Sequence, residues 1–165
     1  MRERVGFSAC ATGDWRERNY LMLRRGPYVI GAGIDESVPV EAKTLAGRFV
    51  NLFDPELSVH RSISLTPGAR VFLLDLDAVK SADAKLLASA CKALPAKQSD
   101  GKLAWTVEGV GDTSAILLIS TAKPPRAIQL EKRLLNSFTY DSTEGLLHIR
   151  FSNEARPREL VVEFN

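Results

Sequence analysis

Read for period, the chain alternates. Leu103, Trp105 and Val107 fall on one parity, and Ala104, Thr106 and Glu108 on the other. Leu147, Ile149 and Phe151 oppose His148 and Arg150, and Leu160, Val162 and Phe164 oppose Val161 and Glu163. Leu57, Val59, Ile63 and Leu65 share a parity that Arg61 interrupts. Period two is the signature of half-buried antiparallel strands. The segments are short, and turn-forming residues punctuate them: Arg25-Gly26-Pro27, Asp54-Pro55, Thr66-Pro67-Gly68, Ser99-Asp100-Gly101, Pro124-Pro125 and Glu144-Gly145. About ten strands at this spacing predict an all-β fold, either an antiparallel β-sandwich or two abutting β halves. The halves fall at residues 19–77 and 83–165, behind an N-terminal extension of residues 1–18.

One segment departs from the alternation. In "SADAKLLASACKALPAK", residues 81–97, Leu86, Leu87, Ala90 and Leu94 lie at near-helical spacing, and Ser81 suits an N-cap. Locally this is a helix. Within a β chain, "KLLASACKA" also reads as a strand.

The totals narrow the class. With 165 residues, 45% hydrophobic and 25% charged, the chain is long enough and apolar enough to build a core. The net charge is only +2, and basic residues are interleaved with acidic ones, so no nucleic-acid or membrane patch is expected. No apolar run approaches the roughly 20 residues of a membrane span. Residues 1–15 carry charge but no apolar h-region, so no signal peptide is predicted in this chain. Cys10 and Cys91 are too few for a disulfide framework and read as two free thiols, with one disulfide between them the alternative. His60 and His148 stand alone in apparent strands, which argues against a histidine metal or catalytic cluster.

Four motifs invite a sharper function. "PYVIGAGIDES", residues 27–37, resembles the approach to a dinucleotide phosphate loop. A GxGxxG fingerprint would need a third glycine where Glu36 stands, and Pro39 follows where a helix should begin. The expected alternative is a strand whose glycines sit at a bulge or beneath a close neighbour. "VFLLDLDAV", residues 71–79, resembles the DxDxV motif of haloacid-dehalogenase-type phosphatases, with Asp75 as nucleophile and Asp77 as general acid. That chemistry needs a parallel sheet, a phosphate-binding lysine and later acids, which the downstream hairpins do not offer. The match is therefore read as coincidental, a strand end with two solvated aspartates. Asp54 in "FDPE" and Asp35 in "IDES" suit calcium, but turn chemistry explains them without a metal. Among the aromatic residues, Trp105 reads as core and Tyr140 as a packing and hydrogen-bonding residue. Trp15, Tyr20 and Tyr28 are the candidate carbohydrate-binding platform. No segment marks a facing pair of carboxylates for glycoside hydrolysis, and no catalytic residue, metal site or cofactor is assigned.

The last forty residues carry a wider pattern. "PPRAIQLEKRLLNSFTYDSTEGLLHIRFSNEARPRELVVEF" combines a Pro-led strand (125–130), a tight turn (131–132), an aromatic strand ending in Tyr-Asp (138–141) and a Leu-rich strand that pairs back (146–151). It resembles the closing strands of β-sandwich domains that follow the catalytic domain of many bacterial glycoside hydrolases. "YLMLRRGPYVIGAGIDES", "KTLAGRFVNLFDPELSV" and "LTPGARVFLLDLD" look like the preceding half of such a domain. In that picture "KLLASACKA" is the strand that opens the second half, so strand is preferred to helix there. Such domains usually carry Asp-Gly or Asn-Gly at the tight turn, from which Glu131-Lys132 departs.

The resemblance implies a non-catalytic accessory module that supports a catalytic domain of the same parent chain or binds a polysaccharide weakly. It would be extracellular or periplasmic if its parent is a secreted glycosidase. The alternative is a structural or protein-interaction sandwich without a ligand.

Overall fold

The structure is a computed structural model that describes residues 18–35, 41–79, 83–96, 99 and 101–164. Fourteen strands follow in chain order. They are β1 (Tyr20–Arg25), β2 (Tyr28–Gly33), β3 (Lys43–Asn51), β4 (Val59–Leu65), β5 (Arg70–Asp75), β6 (Lys85–Ser89) and β7 (Lys92–Pro95). Then come β8 (Lys102–Glu108), β9 (Ser114–Ser120), β10 (Pro125–Leu130), β11 (Arg133–Leu134), β12 (Phe138–Asp141), β13 (Leu146–Ser152) and β14 (Arg158–Phe164). Among the described residues a single 3-10 turn, Leu76–Ala78, follows β5. The first sheet has the order β1-β2-β5-β3-β4, the middle sheet β12-β13-β9-β6, and the outer sheet β11-β10-β14-β8-β7. Every strand pair is antiparallel. The chain is thus the expected all-β sandwich with a further sheet abutting it.

The middle sheet explains the stacking. Ala115 to Ile119 of β9 are buried without a break. Leu117 and Ile119 join Leu147, Ile149, Trp105, Leu160 and Val162 in the core shared with the outer sheet. Ile116, Leu118 and Leu146 pack with Val50, Leu57, Leu74 and Leu76 of the first-sheet half. Alternate side chains of one strand therefore feed two cores, and an unbroken apolar run is the sequence of a strand covered on both faces. Trp105 is core, as read from its parity.

The segment read as helix or strand is strand, broken into two. A corner held by Ser89 ends β6: the Ser89 hydroxyl donates to the Cys91 carbonyl at 2.8 Å and accepts the Cys91 N–H at 3.2 Å. The chain then passes from the middle sheet to the outer one. Leu86 packs into the outer core and its neighbour Leu87 into the inner one. Adjacent residues facing opposite ways suit a strand rather than a helix. This break, and the two-residue β11, help raise the strand count above the roughly ten expected. Cys91 is a half-buried free thiol; Cys10 lies outside the described residues.

Two local readings are settled by backbone geometry. Gly33 lies beneath a close neighbour, since a Cβ there would stand 1.8 Å from the Thr66 carbonyl oxygen. Hydrogen bonds from Gly33 N to Ala69 O (2.8 Å) and from Gly68 N to Gly33 O (3.2 Å) close the same contact. The strand in "PYVIGAGIDES" is flanked by antiparallel partners on both sides, β1 and β5, so the βαβ unit of a dinucleotide site is absent from it. At the other end of the chain, Glu131 and Lys132 take φ of 51° and 66° between paired Leu130 and Arg133. This is the φ signature of a type I′ hairpin made without Asn or Gly. Arg156 holds it by two hydrogen bonds to the Glu131 carboxylate.

Candidate functional site

The first and middle sheets are joined by a polar clamp beside the inner core. Glu144, in the turn between β12 and β13, has a side chain only 9% exposed and pairs with both Arg48 of β3 and Arg61 of β4. Arg48 Nε donates to Glu144 at 2.9 Å, and the Arg48 backbone N–H donates to Asp77 at 3.2 Å. The hydrogen bond to Glu144 is the main reason the Arg48 guanidinium is held above its ordinary pKa, against the opposing cost of burial. His148 Nε2 donates to the Leu57 carbonyl at 3.2 Å, and Arg150 pairs with Glu56 at 2.7 Å. Glu144, His148, Arg150 and Glu56 line a polar groove of about 410 Å³ with Asp141 and Thr139. Glu144 and Arg150 are engaged in ion pairs between the middle sheet and the first-sheet segment, and Asp141 accepts from the backbone of its own turn, which makes the groove a structural clamp.

The aspartates of the phosphatase-like motif are likewise engaged. Asp75 is buried rather than solvated, which corrects the expectation of a solvated strand end. One of its oxygens accepts from Arg24 at 2.7 Å, and the other caps the 3-10 turn by accepting from Asp77 N and Ala78 N. The strand leading to it, β5, pairs antiparallel with β2 and β3, whereas the phosphatase motif ends a parallel strand. Asp54 is a turn residue in fact. Its oxygens accept from the backbone of Glu56 and Ser58, and the Glu56 N–H bond is the first cause of its lowered pKa.

What remains open is a face of the first sheet. Register places nine side chains on one face in three rows. Leu21, Ala32 and Arg70 form one row, Leu23, Ile30 and Phe72 the second, and Arg25, Tyr28 and Leu74 the third. Leu74 sits under the middle sheet, in the inner core. Beyond it the middle sheet stops, and among the described residues the apolar face continues uncovered: Leu21 is 67% exposed, Leu23 63% and Ile30 52%. At the boundary lies a cleft of about 480 Å³. The rings of Tyr28, Phe72 and Phe53 form one side of it, with centroids 5.7 Å and 6.2 Å apart, and Leu87 and Ala88 of β6 form the other. Phe53 is 65% exposed. Isolated exposed leucines are ordinary, but a contiguous apolar face on a sheet marks an interaction surface.

The structure places Tyr20 and Tyr28, two of the three sequence candidates, on different faces. Trp15 lies outside the described residues. Tyr20 points to the opposite face from Tyr28, half-buried against Val29, Phe49, Leu65 and Leu73, with the Arg18 guanidinium 5.7 Å from its ring. Tyr28 belongs to the cleft. Phe53, Phe72, Leu21, Leu23 and Ile30 were missed by the sequence reading. For Leu21, Leu23 and Ile30 the signal was the lack of alternation in "YLML" and "YVI", where both parities are apolar although only one face has a core to fill.

No family model matches the chain, and no curated protein matches it. Among solved structures, it is similar to part of a GH31 dextranase of Flavobacterium johnsoniae, seen as a mutant complexed with isomaltotriose and as a complex with glucose. The identities are 8% and 9%, and the TM-score is 0.40 in both. The match covers 83% of this chain and 26% of the dextranase chain, so the protein spans about a quarter of the solved structures it matches. At that score and identity the likeness assigns neither fold nor role.

Proposed function

We propose that the protein is a non-catalytic β module of a carbohydrate-active enzyme that packs against a catalytic domain of its parent chain. The observation that carries the docking is the uncovered face of the first sheet, where Leu21, Leu23 and Ile30 continue the surface that the middle sheet buries elsewhere. The association with carbohydrate chemistry rests on the sequence resemblance of residues 19–164. A second reading, weak glycan binding, is favoured by the three rings at the cleft, because aromatic faces suit sugar C–H groups.

One experiment separates the two. The intact chain, a Leu23→Lys/Ile30→Lys variant and a Tyr28→Ala/Phe53→Ala variant are compared for binding of a hydrophobic-surface dye and for retention on a broad glycan array. Docking predicts strong dye binding that the lysine variant loses, with no specific glycan signal. A glycan signal lost in the Tyr28/Phe53 variant instead makes the cleft a sugar site. Dye binding unchanged in the lysine variant, with no glycan signal, sinks both readings.

A further inference from the structure

The uncovered face has a charge pattern that specifies its partner. In the nine-residue block, Arg25 and Arg70 stand at diagonally opposite corners, with Leu21, Leu23, Ile30 and Tyr28 among the residues between them. Both arginines are exposed, and among the described residues neither has an ion pair or a hydrogen-bonded acid. The block itself carries no carboxylate. Asp75, the nearest acid in the strand sequence, is held by Arg24 on the opposite face. Strands about 4.8 Å apart and a rise of about 3.4 Å per residue put the two corners roughly 17 Å from each other along the diagonal.

We propose that this face receives an apolar protein surface that carries carboxylates at two positions about 17 Å apart, one for each guanidinium. The inference rests on the docking reading above and adds the chemistry of the partner to it. The geometry favours such a partner over a second copy of this chain, because a copy stacked block on block brings no carboxylate to either arginine. Continuity adds to the argument: the face is the same one that already packs against the middle sheet, so a partner seated here extends an existing apolar interface and also fills the cleft of Tyr28, Phe53 and Phe72. Arginine at the margin of an apolar centre gives orientation and partner choice more than bulk affinity.

The test uses two fluorescent cyclic β-hairpin peptides with one shared apolar face of Leu, Ile and Phe, flanked by glutamates in one and by lysines in the other. Anisotropy titrations are made with the intact chain, with Arg25→Glu/Arg70→Glu, and with Leu23→Lys/Ile30→Lys. The glutamate hairpin is expected to bind the intact chain at least about ten-fold more tightly than the lysine hairpin, and added salt should narrow the gap. The charge-reversed variant should invert the preference. Equal affinities, or a preference that survives charge reversal, overturn the acid-bearing partner while leaving docking in place. Binding of both hairpins that persists in the Leu23/Ile30 variant overturns docking at this face as well. Binding of a soluble glucan but of neither hairpin replaces the protein partner with a sugar.

Discussion

Gly33→Ala tests the fold at its tightest point. Nothing about the backbone conformation of Gly33 demands glycine, since its φ is not in the left-handed region. Space does. The added methyl would stand 1.8 Å from the Thr66 oxygen and 2.5 Å from the Thr66 carbonyl carbon, both backbone atoms that cannot swing aside. Ordinary contact is above 3 Å, so β2 and the turn after β4 must separate by more than 1 Å. That movement stretches two hydrogen bonds, Gly33 N to Ala69 O and Gly68 N to Gly33 O. Overpacking costs about 1–3 kcal/mol and each weakened bond about 0.5–1.5 kcal/mol. The expected loss is about 3 kcal/mol, or a fall of about 10 °C in Tm for a chain of this size. Urea unfolding followed by tryptophan fluorescence measures it. Two controls calibrate the result. Gly31→Ala meets only the methyl ends of Leu65 and Val71, at 3.0–3.1 Å, and should cost about 1 kcal/mol or less. Gly111→Ala meets nothing within 4 Å and should be near neutral. A Gly33→Ala protein as stable as Gly111→Ala would refute the close approach.

Other outcomes follow from the same contacts. Glu144→Ala leaves Arg48 without its main partner beside the inner core and should cost about 2–3 kcal/mol in urea unfolding, whereas Arg61→Ala, on the exposed side of the pair, should cost about 0.5 kcal/mol or less. Lys132→Gly should stabilise the protein by about 0.5–1 kcal/mol, since φ of 66° strains any residue with a Cβ, and a loss of stability would count against the type I′ turn. The lowered pKa of Asp54 adds stability that is full above about pH 5 and is lost as pH falls through about 4 and below. Asp54→Ala should therefore flatten the acid limb of the stability profile, and an unchanged limb would remove Asp54 as a contributor.

The local chemistry of the chain was legible wherever one face of a strand met one core. Leu103, Trp105 and Val107 alternate with partly polar neighbours, and the parity that looked apolar is the one that packs in the outer core. Asp54-Pro55 looked like a turn start, and the Asp54 carboxylate accepts two backbone N–H groups there. The candidate site was less visible. Of Tyr20 and Tyr28, type and position said nothing about face; register alone sent one inward and left the other at the cleft. Phe53 and Phe72 meet across a gap of nineteen positions, a proximity no short window contains. Asp77 is exposed, as read, but Asp75 at the end of β5 looked solvated too, because its arginine partner Arg24 comes from β1, far along the chain.

By itself, then, the sequence determined that this protein is made of short antiparallel strands, where they turn, and which parity of most strands is buried. Those properties depend on neighbours within a few residues, through side-chain period and backbone preference. Tertiary structure alone decided that β9 lies between two cores, that "KLLASACKA" breaks between two sheets, that Gly33 carries another backbone against it, and that the face of Leu21, Leu23 and Ile30 stays open. Each of these depends on which sheet arrives on a given face and where it ends, and that is set by packing between residues distant in the chain.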